Sequence, residues 1–240
     1  MLKIKVVNIF AVAILFASPL YSQFHENKFC ISINAVYTTS ADIFLNPNSS
    51  DIVVRNKPFV VEDILNPSLD IRYRFNEWFI LGLNVEYMKK SATGPNLTVF
   101  LGNNIVVFEV EDGFKVIPIE LTAHYIFPFS TDRFIFIMGG GLGYYRGEFT
   151  RKFSDIDLSI QQRQVAIGIH VSASMDYMLL EFFSVRFEMK FRDPQYNVTS
   201  KYNKTTVLYQ GNEIPLHDDA FETKVNVNGV TFILGGAFHF

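Results

Sequence analysis

The sequence carries one cysteine, Cys30, and one tryptophan, Trp78, in 240 residues. A single thiol closes no internal disulfide, so the compartment must be read from other features. After Gln23 no stretch supplies the roughly 18 apolar residues of a transmembrane helix, and hardly any offers an i, i+3, i+4 stripe. Basic tracts are also missing. Lys and Arg number 21 against 24 Asp and Glu; setting aside Lys3 and Lys5 leaves 19 against 24, a net of −5. Nothing there suggests a phosphate-binding surface, and no nucleic acid partner is expected. His25, His124, His217 and His239 lack metal-ligand spacing, and His217-Asp218-Asp219 reads as a solvated loop. No metal or cofactor is expected.

What the sequence has is apolar and aromatic residues: 49% hydrophobic, 15% aromatic, with 25 Phe and 11 Tyr. These are strand-formers. The N-terminus supplies the compartment. Met1-Leu-Lys-Ile-Lys5 is a short positive region, Val6 to Ala17 is apolar except for Asn8, and Ser18 to Ser22 is a polar exit ending on a small residue. Residues 1–22 therefore read as a cleaved secretory signal peptide, being too short in their apolar part for the ~20 residues of a spanning helix. Cys30 follows Asn27-Lys28-Phe29, which is unlike a lipid-attachment site. Residues 23–240 are expected to form one domain, since all-β barrels commonly use roughly 200–250 residues as a single unit.

Period two recurs along that domain. Phe29, Ile31, Ile33, Ala35 and Tyr37 alternate with Cys30, Ser32 and Asn34. Leu69, Ile71, Tyr73 and Phe75 alternate with Asp70, Arg72 and Arg74; Asn76-Glu77 turns the chain, and Phe79, Leu81, Leu83, Val85 and Tyr87 return. Further strands are expected at 116–126, at 134–145 with Gly139-Gly-Gly141 and Gly143 leaving room for bulky neighbours or a bend, and at 165–177. At 185–192 Val185, Phe187, Met189 and Phe191 alternate with Arg186, Glu188, Lys190 and Arg192. The eighth strand, 230–240, has Phe232, Leu234, Phe238 and Phe240 on one face, and Asn228-Gly229 before it marks a bulge.

Connections alternate short and long. The long ones, at roughly 38–67, 88–113, 146–163 and 193–223, are rich in Asn, Ser, Asp, Lys and Gly. Such asymmetry belongs to outer-membrane barrels, with short periplasmic turns and long extracellular loops. Thr98 to Leu101, Ile105 to Phe108 and Thr206 to Tyr209 look strand-like, and either extend the barrel above the bilayer or add a hairpin to make ten strands. Four Asn-x-Ser/Thr matches, at Asn48, Asn96, Asn197 and Asn203, are read as chance products of loop composition.

Periodicity alone leaves two orientations open. A soluble lipocalin-like barrel puts charge outwards; a membrane barrel puts Arg72, Arg74, Glu120, Arg186, Glu188, Lys190 and Arg192 inwards. Aromatics at strand ends (Tyr37, Tyr73, Phe75, Tyr87, Tyr125, Phe134, Tyr177) and the export signal favour the membrane. The final Gly229-Val-Thr-Phe-Ile-Leu-Gly-Gly-Ala-Phe-His-Phe240 is similar to the C-terminal signal of bacterial outer-membrane proteins. From Phe29 to Phe240 the chain resembles the OmpA/OmpX-like outer-membrane β-barrel superfamily; Ile117-Pro-Ile-Glu-Leu121, the Gly-rich strand and Phe238-His-Phe240 resemble compact Bacteroidetes-like members. That resemblance implies a closed antiparallel up-and-down transmembrane β-barrel of eight strands in the bacterial outer membrane. It also implies contact with outer-membrane lipid and a barrel-assembly machinery that reads Phe232, Leu234, Phe238 and Phe240.

The candidate site is a luminal charge network of Asp70, Arg72, Arg74, Glu86, Glu120, Asp176, Arg186, Glu188, Lys190 and Arg192. In an eight-stranded bore these form a salt-bridged plug; the alternative is a narrow pore for ions or small solutes. His170 and Ser172 share a face and resemble, weakly, the His-Ser pair of lipid A deacylases; no Asn follows Ser172, and no catalytic residue is assigned. The expectation is thus a non-enzymatic barrel, structural, adhesive or surface-binding through four long loops that could meet an extracellular ligand. A lipid-modifying enzyme and a lipocalin-like carrier stand behind the pore as alternatives.

Overall fold

A computed structural model describes residues 27–101, 104–154, 158–209, 212–216 and 219–240. The expected signal segment 1–22, His25 and His217 lie outside them. The chain forms strands β1 (Phe29–Phe44), β2 (Pro58–Arg74), β3 (Phe79–Glu86), β4 (Met88–Leu101), β5 (Asn104–Ile126), β6 (Phe134–Lys152) and β7 (Leu158–Arg163). It continues through β8 (Val165–Leu180), β9 (Phe183–Arg192), β10 (Gln195–Tyr202), β11 (Thr206–Tyr209), β12 (Asn212–Pro215), β13 (Phe221–Asn226) and β14 (Thr231–His239). One helical turn, α1 (Ile52–Arg55), tips the β1–β2 connection. The sheet closes: β1, β2, β3, β5, β6, β8, β9 and β14 pair in that order, and β14 returns to β1 over Cys30↔His239 to Thr38↔Thr231. Every pairing in the ring is antiparallel, so eight strands make an up-and-down barrel with no free edge.

One end carries the short turns and both described ends of the chain, Asn27 and Phe240. Around its middle the barrel is inside out. Ile33, Leu69, Leu83, Leu121, Leu142, Ile169, Phe187 and Leu234 are exposed outwards, while Asp70, Glu120, Arg186 and Lys190 are buried inwards. On β1 the outward apolar face runs from Phe29 to Tyr37, and a tilted membrane strand needs ~9–11 residues. Aromatic clusters rim the short-turn edge: Tyr73 against Phe75 and Phe29, Tyr125 against Phe79 and Trp78, Phe134 against Tyr177. Rings at such an edge sit at headgroup level, their apolar faces against acyl chains. At the other edge six of the eight outward apolar runs end on charge, at Asp63, Lys89, Lys115, Arg146, Arg163 and Asp193, beside Tyr37, Tyr87 and Tyr144.

Beyond that edge the strands go on. Most of the residues expected as four long loops are strand here, and they extend the wall of the barrel without adding a hairpin to the ring. The reason lies in their alternation, which persists while residue types exchange faces. On β5, Glu120 points in and Ile119 and Leu121 out; further along, Val116 and Phe114 are buried inside and Lys115 lies on the other face. This outer half is therefore an ordinary apolar-in β-structure, with a core of Ala41, Ile43, Val61, Ile64, Met88, Phe114, Val116, Phe149, Tyr196, Val198 and Val225. Between the halves β1 and β2 shift phase together, around Thr39-Ser40 and at Asp63, whose φ is 55°. Asn228-Gly229 separates β13 from β14 at the same height, and Gly229 donates to Ser40 O at 3.1 Å. A side chain at Gly229 would strike the Ser40 backbone, so this close approach needs glycine. The inward glycines of β6 are room for neighbours: Gly139 faces His124, and Gly147 lies under the Tyr196 ring.

Candidate functional site

The inward polar side chains of the membrane half come from every second residue of strands that face one another across the lumen. Asp176 receives two hydrogen bonds from Arg186, Nε and Nη2 each at 2.7 Å. Arg186 stands 3.7 Å from Asp70, and Asp70 accepts from Arg72 at 2.9 Å. Arg72 reaches Glu188 at 2.7 Å, which lies 4.0 Å from Lys190. Lys190 donates to Glu120 at 2.6 Å; Arg192 donates to Glu120 at 3.1 Å and holds Glu86 with two bonds of 2.8 and 2.9 Å. The result is a continuous ladder of alternating sign, five carboxylates threaded by four cations. A buried charge is tolerated only when paired and hydrogen-bonded, and each of the nine groups is paired and makes at least one such bond.

Arg74 stands apart from this ladder. It is the last residue of β2, at the short-turn mouth, half-exposed and without an ion pair among the described residues. Several participants were not singled out in the sequence. Tyr145 donates to Glu120 at 2.8 Å, Asn66 donates to Glu86 at 2.7 Å, and Cys30 accepts from Arg186 at 3.6 Å. The inward phase of β2, fixed by Asp70 and Arg72, identifies Asn66; β1 and β6 carry no inward charge in this half that would do the same for Cys30 and Tyr145.

His170 and Ser172 both point into the lumen, away from lipid, and the His170 ring is hydrogen-bonded to Thr122 at 2.8 Å. His239 bonds Ser184 at 2.8 Å. Among the described residues no group of three or more His, Cys, Asp or Glu side chains is placed to hold a metal ion. Of the residues expected as an assembly signal, Leu234, Phe238 and Phe240 are exposed on the outside of the barrel and Phe232 is half-buried on the same face.

Above the ladder the apolar core fills the bore. Above that core lies a cavity of about 540 Å3, lined by Leu45, Leu97, Val99, Leu216 and Phe221 with Asn46, Asn96 and Thr98 among them. Arg151 and Tyr202 line it too. Arg151 binds Asp112 through Nε at 2.7 Å and Nη2 at 2.8 Å, and donates to Tyr202 through Nη1 at 2.9 Å. Burial alone would lower the Arg151 pKa, but the Asp112 carboxylate raises it above the ordinary arginine value, so the clamp stays charged. None of these cavity residues was expected as a site, because they fall in segments read as loops.

The arrangement matches solved structures of bacterial outer-membrane proteins. OprG from Pseudomonas aeruginosa superposes with a TM-score of 0.60 at 17% identity, covering 89% of this chain and 96% of that one. The outer membrane protein AlkL, solved in lipid bilayers, covers 93% of this chain and 94% of its own at 16% identity and a TM-score of 0.46. Neisserial surface protein A covers 88% and 97% at 15% identity and a TM-score of 0.45. No family model matches the sequence, and no curated protein matches it significantly. At these identities the likeness to OprG establishes the fold.

Proposed function

We propose that this chain, an outer-membrane β-barrel by fold, is a non-enzymatic, non-conducting surface protein whose working part is the cup at its extracellular end. The cup holds one small apolar or weakly amphipathic molecule. Residues 1–22 are its cleaved export signal, and the outward Phe232, Leu234, Phe238 and Phe240 are the edge that the assembly machinery reads. The short-turn end then faces the periplasm, and the apolar-in half stands outside the cell.

The observation that carries the reading is the cavity of about 540 Å3 resting on a closed floor. Its size falls within the ~300–1,000 Å3 of small-molecule sites, and apolar walls with a few polar groups are what such sites present. Below it the bore is stopped twice, by the packed core around Phe114 and Met88 and by the charge ladder. A solute entering from outside meets a wall of apolar side chains and then a paired ionic plug, which argues for holding over passage.

The test places a reporter in the cup. In a Trp78→Phe background, Phe221→Trp puts the sole indole on the cavity wall, and bromocyclohexanol serves as a small apolar quencher. Quenching that saturates in the parent and turns linear when Leu97→Asp is added supports the cup. Linear, purely collisional quenching in the parent contradicts it.

A further inference from the structure

The ladder ends at the periplasmic mouth with cationic capacity left over. Arg186 is spent: Nε and Nη2 bind Asp176 and Nη1 donates to Ser32 at 3.2 Å. Arg72 is not. Its Nε and Nη2 serve Asp70 and Glu188, while Nη1, in a side chain only 2% exposed, has no hydrogen-bond partner among the described residues. Two residues along β2, Arg74 has a buried Nε that is likewise unpartnered. Both arginines line one cavity of about 220 Å3 that also takes in Lys28, and the Cys30 thiol lies on its wall. Leaving a buried charged donor without an acceptor is costly, and two such donors on one cavity describe a site whose acceptor comes from outside.

We propose that this periplasmic pocket binds a single carboxylate group. The guanidinium fork matches a planar acceptor with two oxygens, and a carboxylate supplies acceptors alone. The rim sets the valence. Lys28, Arg72, Arg74 and Arg186 line the cavity against Asp132, Asp176 and Glu181, with Asp132 and Glu181 exposed at the rim. A polyanion would meet the two rim carboxylates. The volume accepts a small carboxylic acid or the end of a chain that carries one. This site lies at the opposite end of the barrel from the cup and does not depend on it.

The probe is trifluoroacetate, followed by fluorine NMR against the folded barrel beginning at Gln23 in lipid nanodiscs, with trifluoroacetamide as the uncharged match. Saturable broadening is expected for the acid and not for the amide. Arg74→Gln, which leaves the ladder intact, should weaken binding by about tenfold, the scale of one lost charge-assisted hydrogen bond. Arg74→Lys, which keeps the charge and loses the fork, should fall between. Alkylation of Cys30, the sole thiol, should slow when the site is filled. Competition by acetyl-Ala-Ala with a free carboxyl terminus separates the two sources: stronger displacement than by acetate marks a chain-end ligand, equal displacement a free acid. Broadening that is absent in the parent, equal for the amide, or unchanged in Arg74→Gln overturns the proposal.

Discussion

Arg192 and Glu86 stand 106 positions apart in the chain and meet inside the barrel through two hydrogen bonds of 2.8 and 2.9 Å, both side chains wholly removed from water. They come from β9 and β3, which are not neighbours in the sheet, so the pair ties opposite walls together across the lumen. Removing one partner strands the other in a medium that cannot solvate it. Arg192→Met is therefore expected to cost about 3–5 kcal/mol in urea unfolding from lipid vesicles. Adding Glu86→Leu should recover much of that loss, because an apolar pair of similar volume carries no desolvation penalty. Equal stabilities for the single and parent proteins would mean the pair is solvated.

The second clamp, Arg151 with Asp112, acts in the outer half. Arg151→Met leaves the Asp112 carboxylate buried with, among the described residues, only Asn96 donating to it at 3.1 Å. The expected cost is again about 3–5 kcal/mol, but local. Hydrogen exchange should accelerate on the outer ends of β5 and β6 and on β10, while the membrane ring keeps its protection. Uniform acceleration throughout the barrel would contradict the division into two halves.

Tyr196 gives the outer half an alkaline limit. Burial, with a contribution from Glu148, pushes its phenol above the ordinary tyrosine value. In the unfolded chain the phenol ionises near pH ~10. The unfolded state therefore releases its proton first, and the stabilisation held below that pH is lost as pH rises through it. Unfolding of the outer half, followed by exchange or proteolysis, should steepen above pH ~10 in the parent and less so in Tyr196→Phe. Identical alkaline profiles would remove Tyr196 as the cause.

How far this was legible in the sequence divides at the membrane edge. Within the bilayer, alternation with charge on one face identifies the strands: Val185, Phe187, Met189 and Phe191 against Arg186, Glu188, Lys190 and Arg192 admits no other reading. Beyond the edge the same period continues with the faces exchanged. Gly94-Pro95 and Gly113 also interrupt it with residues that ordinarily signal turns, so the sequence reads there as loop. Arg151 and Asp112 vanished with it. The members of the charge ladder could be named, but not their pairings: whether Arg192 meets Glu86 or Asp176 depends on which strands oppose one another across a closed ring. Arg74 has the same alternating position as Arg72, and only its place at the strand end separates it from the ladder.

The interior is closed twice, first by the Phe114–Met88 core and then by the ladder. Planar-bilayer recording from the purified, folded barrel tests this most directly, with Arg186→Ala and Arg192→Ala beside the parent. All three are expected to be silent, because loosening the ladder leaves the apolar core in place. Steady conductance in the parent that changes in Arg186→Ala would contradict the account and make the lumen a path.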